Sequence, residues 1–193
     1  MRKIRDFNMR LPFKEIRRRV TRGANAPLPG LDDAKLAALL DRAEKSLKPS
    51  VLFDSYGPDS PETAALSPVP GVAHTLAVTT LGPDFAAALD ELRTEHPASG
   101  KALDAAAAVA GERAVQFIIS LIKEEVEDER CDLSPIGYLE GSEALDKVLA
   151  KLDGSKVGVT AEAGTLRPGH SRAFCVSWLA RKGRRGAKTA SKK

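Results

Sequence analysis

The feature that most constrains the fold is a long helical pattern from about Lys101 to Asp128. Alanine dominates its first half, and the apolar residues of its second half are Ile118, Ile119, Leu121, Ile122 and Val126. Alanine loses little conformational freedom in a helix, and its small side chain lets neighbouring elements pack closely. The segment therefore predicts one central helix, which the charged stretch "KEEVEDER" extends to Arg130.

Shorter patterns on both sides of this segment predict the other elements. Helices are expected at 11–20, about 32–48, 83–96 and 142–154, the last with Ser142 as its cap and Gly154 at its exit. Strands are expected at 49–57, 72–82, 155–164 and 170–180, and "DSPETAALSPVPG" and "TLRPG" are expected to be loops. This order indicates an α+β fold in which helices cover a mostly antiparallel sheet.

The charges are distributed unevenly along the chain. Residues 1–22 carry nine Lys/Arg against two acids, and residues 181–193 carry seven Lys/Arg and no acid. We therefore expect a basic N-terminal helix and linker over 1–31, a folded domain over 32–180 and a disordered basic tail over 181–193. Such ends could also attract an acidic partner or nucleic acid, but no motif for specific nucleic-acid recognition is present.

The chain lacks the sequence patterns of membrane and secreted proteins. No uninterrupted apolar run reaches the ~18 residues of a transmembrane helix, and the N-terminus lacks the apolar core of a secretory signal. Cys131 and Cys175 lie 44 positions apart, which is not a metal-binding spacing, so two free thiols are expected. These observations indicate a cytoplasmic protein.

No known catalytic arrangement is found in the sequence. The histidines His74, His96 and His170 are scattered and share no helical spacing with a carboxylate. The glycine motifs that bind phosphates and the G-x-S-x-G motif are absent. His74 and Cys175 both lie in strand patterns, so each is expected to be a core residue.

Two loops combine turn residues with side chains that could hold a ligand. They are "CDLSPIGYLEG" (131–141) and "AEAGTLRPGHS" (161–171). The candidate anchors are Arg130 and Tyr138 at the first loop, and Glu162 and Arg167 at the second. Gly137 would let a ligand approach the backbone, and Tyr138 offers a ring face and a hydroxyl. Alternatively, the first loop is only an efficient turn and Tyr138 fills the core beneath it.

The motifs of both loops are similar to those of one known family. The segment "RCDLSPIGY" supplies Ser134, Pro135, Gly137 and Tyr138, and "TAEAGTLRPGHS" supplies Glu162, Leu166, Pro168 and Ser171. With "VAHTLAVTTLGPDF" and "ERAVQF" upstream, the chain resembles the reactivation domain of cobalamin-dependent methionine synthase from about Asp32 to Trp178. It resembles the short stand-alone relatives of that domain more closely still.

The resemblance implies a ligand, a cofactor and partners. In the family, the domain binds S-adenosylmethionine in a shallow groove and presents the methyl group to oxidised cobalamin, with an electron from a flavodoxin-type donor. It implies that this chain is an accessory protein of corrinoid-dependent methyl transfer. The cobalamin would be carried by a methionine synthase core or another corrinoid protein, so the cobalt chemistry would belong to that partner.

The resemblance also implies binding residues, by position in the motifs. The implied set is Gln116, Arg130, Ser134, Gly137, Tyr138 and Glu162. Gln116 stands where the family has a glutamate, Ile136 is an insertion, and Asp132 rather than Arg130 aligns with the family's arginine. An alternative function is a scaffold module that kept the fold but lost the ligand. Such a module would recruit an acidic partner or nucleic acid through its basic ends.

Overall fold

A computed structural model describes residues 1–22, 30–67 and 69–181 of the chain. The helices are α1 (Phe13–Thr21), α2 (Asp33–Lys45), α3 (Pro61–Ala64), α4 (Pro83–Glu95), α5 (Gly100–Asp128) and α6 (Ser142–Leu152). The strands are β1 (Arg2–Arg5), β2 (Ser50–Tyr56), β3 (Ala73–Thr80), β4 (Cys131–Leu133), β5 (Gly137–Tyr138), β6 (Thr160–Glu162), β7 (Thr165–Arg167) and β8 (Arg172–Ala180). The predicted α+β class and the long alanine-rich helix are confirmed.

The main sheet is antiparallel and is organised around β8. Its order is β1-β2-β3-β8-β4, and β5 also pairs with β8 on the side of β4. Cys175 of β8 lies opposite Leu76 of β3 on one side and opposite Gly137 of β5 on the other. The chain segment 131–138 is therefore bound to the same strand that follows the second predicted ligand loop.

Helices cover both faces of this sheet. Ile118 and Ile122 of α5 pack with Phe53 and Phe174 on one face, where α1, α2 and α4 extend the core along the alanine-rich half of α5. Helix α6 covers the other face, where Val148 packs with Leu52, Leu76 and Val78 of β2 and β3. By length and composition α5 could cross a membrane, but 56% of its most apolar window is buried, as in the core helix of a soluble protein.

The N-terminal segment packs onto this core. The helix predicted at 11–20 is α1, with Ile16 fully buried, while β1 is a strand that the sequence did not predict. In β1 only Ile4 is partly buried, so the strand has almost no apolar pattern of its own. The linker residues 23–29 and the predicted tail residues 182–193 lie outside the described residues.

Five predictions of local structure are wrong. The strand expected at 155–164 begins as a 3-10 turn (Gly154–Val157), and β6 pairs with β7 in a separate two-stranded sheet because residues 163–164 turn the chain back. Helix α6 is preceded by Gly141 at φ 82°, so Ser142 is its first residue and not its cap. The exit residue is Asp153 rather than Gly154, α3 forms inside the predicted loop "DSPETAALSPVPG", and β7 forms inside the predicted loop "TLRPG".

The expected core positions of His74 and Cys175 are confirmed. Both side chains are buried, on the sheet face that α6 covers, and the two described cysteines, Cys131 and Cys175, are free thiols. Burial raises the pKa of the Cys175 thiol to about 11 and lowers the pKa of the His74 imidazole. The thiol is therefore protonated at neutral pH, and the imidazole is neutral.

We expect the free energy of unfolding to fall when the pH drops from 7.5 to 5.5, in part because His74 is buried. A histidine with a lowered pKa binds its proton less readily in the folded protein than in the unfolded chain. The contribution of the neutral His74 imidazole to the free energy of unfolding is therefore complete above the ordinary histidine pKa of about 6.5. It is lost as the pH falls below that value. Urea denaturation measures the free energy of unfolding at pH 7.5 and at pH 5.5. The change between the two pH values should be smaller for His74→Leu than for the wild-type protein. His96→Gln, at an exposed histidine, should keep the wild-type difference; an unchanged difference in His74→Leu would contradict the prediction.

Candidate functional site

The two predicted ligand loops meet at one groove at the start of β8. Its volume is about 610 Å³, within the range of small-molecule sites of ~300–1,000 Å³. One wall is the connection from β5 to α6, and the other is the connection from β7 to β8. Its lining residues include Tyr138, Glu140, Arg167, His170, Ser171 and Arg172.

Pairing with β8 fixes the first wall. Tyr138 lies opposite Phe174, and the amide of Leu139 donates to the carbonyl of Ala173 at 2.9 Å. Between β4 and β5 the chain bulges away, and Ser134 bridges the interruption. Its hydroxyl accepts from the amide of Ser177 at 2.9 Å, while its own amide donates to the carbonyl of the same residue. The turn is thus held rigidly against β8.

Tyr138 lies on the surface of this wall and not in the core. Its side chain is 48% exposed, so the interpretation that it fills the core beneath the turn is wrong. The ring meets Phe174 edge to face, with ring centroids 6.3 Å apart. The guanidinium carbon of Arg172 lies 5.9 Å from the ring centroid, within the range of a cation–π contact. Tyr138 is therefore oriented by its neighbours and accessible to a ligand.

Arg172 reaches the groove across a glycine of α5. A Cβ atom at Gly111 would lie 3.1 Å from Nε and 3.3 Å from Cζ of Arg172. The absence of a side chain at this helix position lets the guanidinium lie against the helix backbone. Gly111 thus contributes to the position of the cation beside Tyr138.

The second wall is ordered by its own polar contacts. Ser171 Oγ donates to Pro168 O at 2.7 Å and lies 3.0 Å from Thr80 Oγ1, which ties the loop to β3. Arg167 Nε lies 3.6 Å from a carboxylate oxygen of Glu162 across the β6–β7 hairpin. Desolvation, with a smaller effect of Arg93, lowers the pKa of His170, so its imidazole is neutral at neutral pH.

The structure brings only part of the predicted binding set to the groove. Tyr138 lines it, Gly137 is the adjacent strand residue, and Glu162 approaches it only through its ion pair with Arg167. Ser134 is buried beneath the turn, and Gln116 is exposed on α5 outside the groove lining.

Arg130 lies at the opposite end of β8 from the groove. The residue after it, Cys131, pairs with Ala180, whereas Tyr138 pairs with Phe174. The two positions on β8, Phe174 and Ala180, are six residues apart, which is about 20 Å at ~3.3 Å per residue. Asp132, at the position of the family's arginine, forms an ion pair with Arg181 at 2.9 Å.

Sequence reasoning missed two charged residues of the groove, Glu140 and Arg172. Both were visible in the sequence, but Glu140 stood at the end of a predicted turn and Arg172 inside a predicted strand. The pairing of β5 with β8 brings the two segments to one site. No local residue pattern in the sequence predicts that pairing.

Comparison with known proteins adds no relative. No known family model matches the chain, and no curated protein is detectably similar to it in sequence. The resemblance to the reactivation domain of methionine synthase therefore rests on the short motifs of the two loops and the segments upstream of them.

Proposed function

We propose that this chain binds S-adenosylmethionine in the groove between residues 138–141 and 164–173, as a cytoplasmic accessory protein of corrinoid-dependent methyl transfer. One observation carries the proposal. The two loops that resemble the reactivation domain of methionine synthase begin 30 residues apart in the sequence, at residues 131 and 161. In the structure they form the two walls of one groove.

The groove residues match the chemical groups of this ligand. S-adenosylmethionine has an adenine ring, an α-carboxylate, an α-ammonium and a sulfonium. Tyr138 offers an exposed aromatic ring, Arg172 offers a guanidinium group, and Glu140 offers a carboxylate. Aromatic rings stack on bases, and guanidinium groups bind carboxylates through paired hydrogen bonds. The groove thus contains a partner of suitable chemistry for each end of the ligand.

The proposed role of the chain is to bind and present a methyl donor. Cobalamin, carried by a methionine synthase core or another corrinoid protein, would supply the methyl-accepting cobalt, and a flavodoxin-type donor would supply the electron. This chain contributes an open groove, in which Tyr138 and Arg172 hold the ligand at the protein surface. A surface site leaves the methyl group accessible to a large partner.

The alternative of a charge-driven scaffold gains no support from the N-terminal segment. Arg2, Arg17 and Arg19 form ion pairs with Glu125, Asp33 and Glu112, which belong to the acidic body of the chain. These contacts reduce the positive potential that the segment would offer to an acidic partner or nucleic acid. The basic residues 182–193 lie outside the described residues, so recruitment through them stays a prediction.

We expect Tyr138→Ala to weaken S-adenosylmethionine binding at least tenfold, about 1.4 kcal/mol, because the ring is the exposed aromatic surface of the groove. Since the side chain is half exposed, stability should change by less than about 1 kcal/mol. Isothermal titration measures the affinity, and Tyr138→Phe, which keeps the ring, should bind within a few fold of wild type.

Two results would count against this prediction. Unchanged affinity in folded Tyr138→Ala would remove the ring from the binding site. If the wild-type protein shows neither binding heat nor thermal stabilisation with millimolar S-adenosylmethionine, the proposed function itself is wrong.

A further inference from the structure

The groove contains an acid and a base that are not paired with each other. Within residues 1–22, 30–67 and 69–181, Glu140 has no hydrogen-bond or ion-pair partner for its carboxylate. Over the same residues, Arg172 has no carboxylate partner, and its guanidinium lies over the ring of Tyr138 in a cation–π contact. Most other arginines that make a polar contact in the described part of the chain form an ion pair with a carboxylate. Arg167 does so with Glu162.

The strand register, extended beyond the end of β5, indicates that these two residues lie on neighbouring chain segments. Tyr138 lies opposite Phe174, and the hydrogen bond from Leu139 to Ala173 continues the pairing by one residue. Glu140 follows directly after Leu139, and extending the same register by one more residue beyond β5 would set it opposite Arg172. Alternate residues of a strand point to the same side, so both lie on the side of Tyr138. An acid, a base and an aromatic ring therefore share one surface of the groove.

We infer that Glu140 and Arg172 together recognise the amino-acid end of the ligand, a zwitterionic α-ammonium and α-carboxylate. This inference rests on the proposed function. The carboxylate of Glu140 accepts hydrogen bonds from the ammonium group, and the guanidinium of Arg172 donates to the carboxylate of the ligand. Opposite charges set side by side in this way match a zwitterion and disfavour a ligand with a single charge.

The placement of the other candidate residues supports this assignment. Gln116 lies outside the groove lining, and Arg130 lies about 20 Å away along β8. Arg167 lines the groove but is already engaged by Glu162. Glu140 is the only carboxylate among the described residues that line the groove, so it is the acid available to an ammonium group.

The test compares two ligands that differ in the amino-acid end. S-Adenosylhomocysteine carries the zwitterion on a neutral thioether, whereas 5′-methylthioadenosine has the same adenosine and thioether portions without it. We expect Glu140→Gln to weaken binding of S-adenosylhomocysteine, and of S-adenosylmethionine with it, about tenfold and to leave the affinity for 5′-methylthioadenosine unchanged. Glu143→Gln is the matched control, since Glu143 is exposed on the first turn of α6 and pairs with Lys147 outside this groove. Both affinities should stay at wild-type values in that variant.

Each outcome of these titrations decides the inference. Wild-type affinity for S-adenosylmethionine in Glu140→Gln, together with a loss in Tyr138→Ala, would overturn the inference and leave the proposed function standing. Equal weakening of both ligands would also overturn it, because the effect would then not depend on the amino-acid end. If the wild-type protein binds none of these ligands, the proposed function fails and the inference fails with it.

Discussion

Replacing Phe174 with alanine is expected to lower the free energy of unfolding by about 3–5 kcal/mol, the usual range for removing a large aromatic side chain from a core. Phe174 is fully buried on β8 and packs with Phe53 and Ile118, where α5 crosses the sheet. Its ring also supports Tyr138 from below, so the groove should lose order together with the core. Chemical denaturation followed by fluorescence or circular dichroism measures the change.

The control for this prediction is the same substitution at a half-buried ring. Phe117 stacks on Phe7 at the outer side of α5, with ring centroids 4.3 Å apart, and Phe117→Ala removes a ring that is still partly hydrated. Its loss of stability should be clearly smaller than that of Phe174→Ala. A cost below about 1 kcal/mol for Phe174→Ala would show that the sheet does not depend on packing against α5 at this position.

Gly71→Ala is expected to destabilise the protein by about 1–3 kcal/mol through overpacking against backbone. A Cβ atom at Gly71 would lie 2.6 Å from the carbonyl oxygen of Trp178, far inside contact distance. The same carbonyl accepts a hydrogen bond from the amide of Val72 at 2.9 Å, so it cannot move aside without loss of that bond. Thermal and chemical denaturation measure the effect.

Gly57→Ala is the matched control for this second prediction. A Cβ atom at Gly57 would have no heavy atom within 4 Å, so the same substitution creates no clash. The free energy of unfolding should change by less than about 1 kcal/mol. If Gly71→Ala were as stable as Gly57→Ala, the close approach of residue 71 to β8 would be refuted.

The sequence predicted the elements that carry a strong pattern of their own. Helix α5 has 29 residues with continuous helical character, and β2, β3 and β8 are rich in β-branched and aromatic residues. The missed strands lack such a pattern. β4 and β5 have three and two residues, too few for any periodicity to be recognised, and they are strands only because β8 offers them hydrogen bonds.

The candidate site was predictable as two loops but not as a set of residues. Turn chemistry identified both loops and Tyr138, and these belong to the groove. Gln116 was assigned through the resemblance and Arg130 first as a charged residue beside the first loop, and the structure places both outside the groove lining. Glu140 and Arg172 line the same groove because β5 pairs with β8, and this pairing is a long-range property that an isolated segment does not contain.

The central position of β8 also fixes when the groove can exist during synthesis. β8 is made after every other strand that the structure describes, yet it is the strand that joins β3 to β4 and β5. At translation rates of ~5–20 residues per second, segment 131–138 waits a few seconds on the ribosome before its pairing strand is complete. During that interval both the edge of β3 and the future ligand turn are unpaired. The nascent chain is therefore most exposed to misassociation just before the strand that completes its binding site is made.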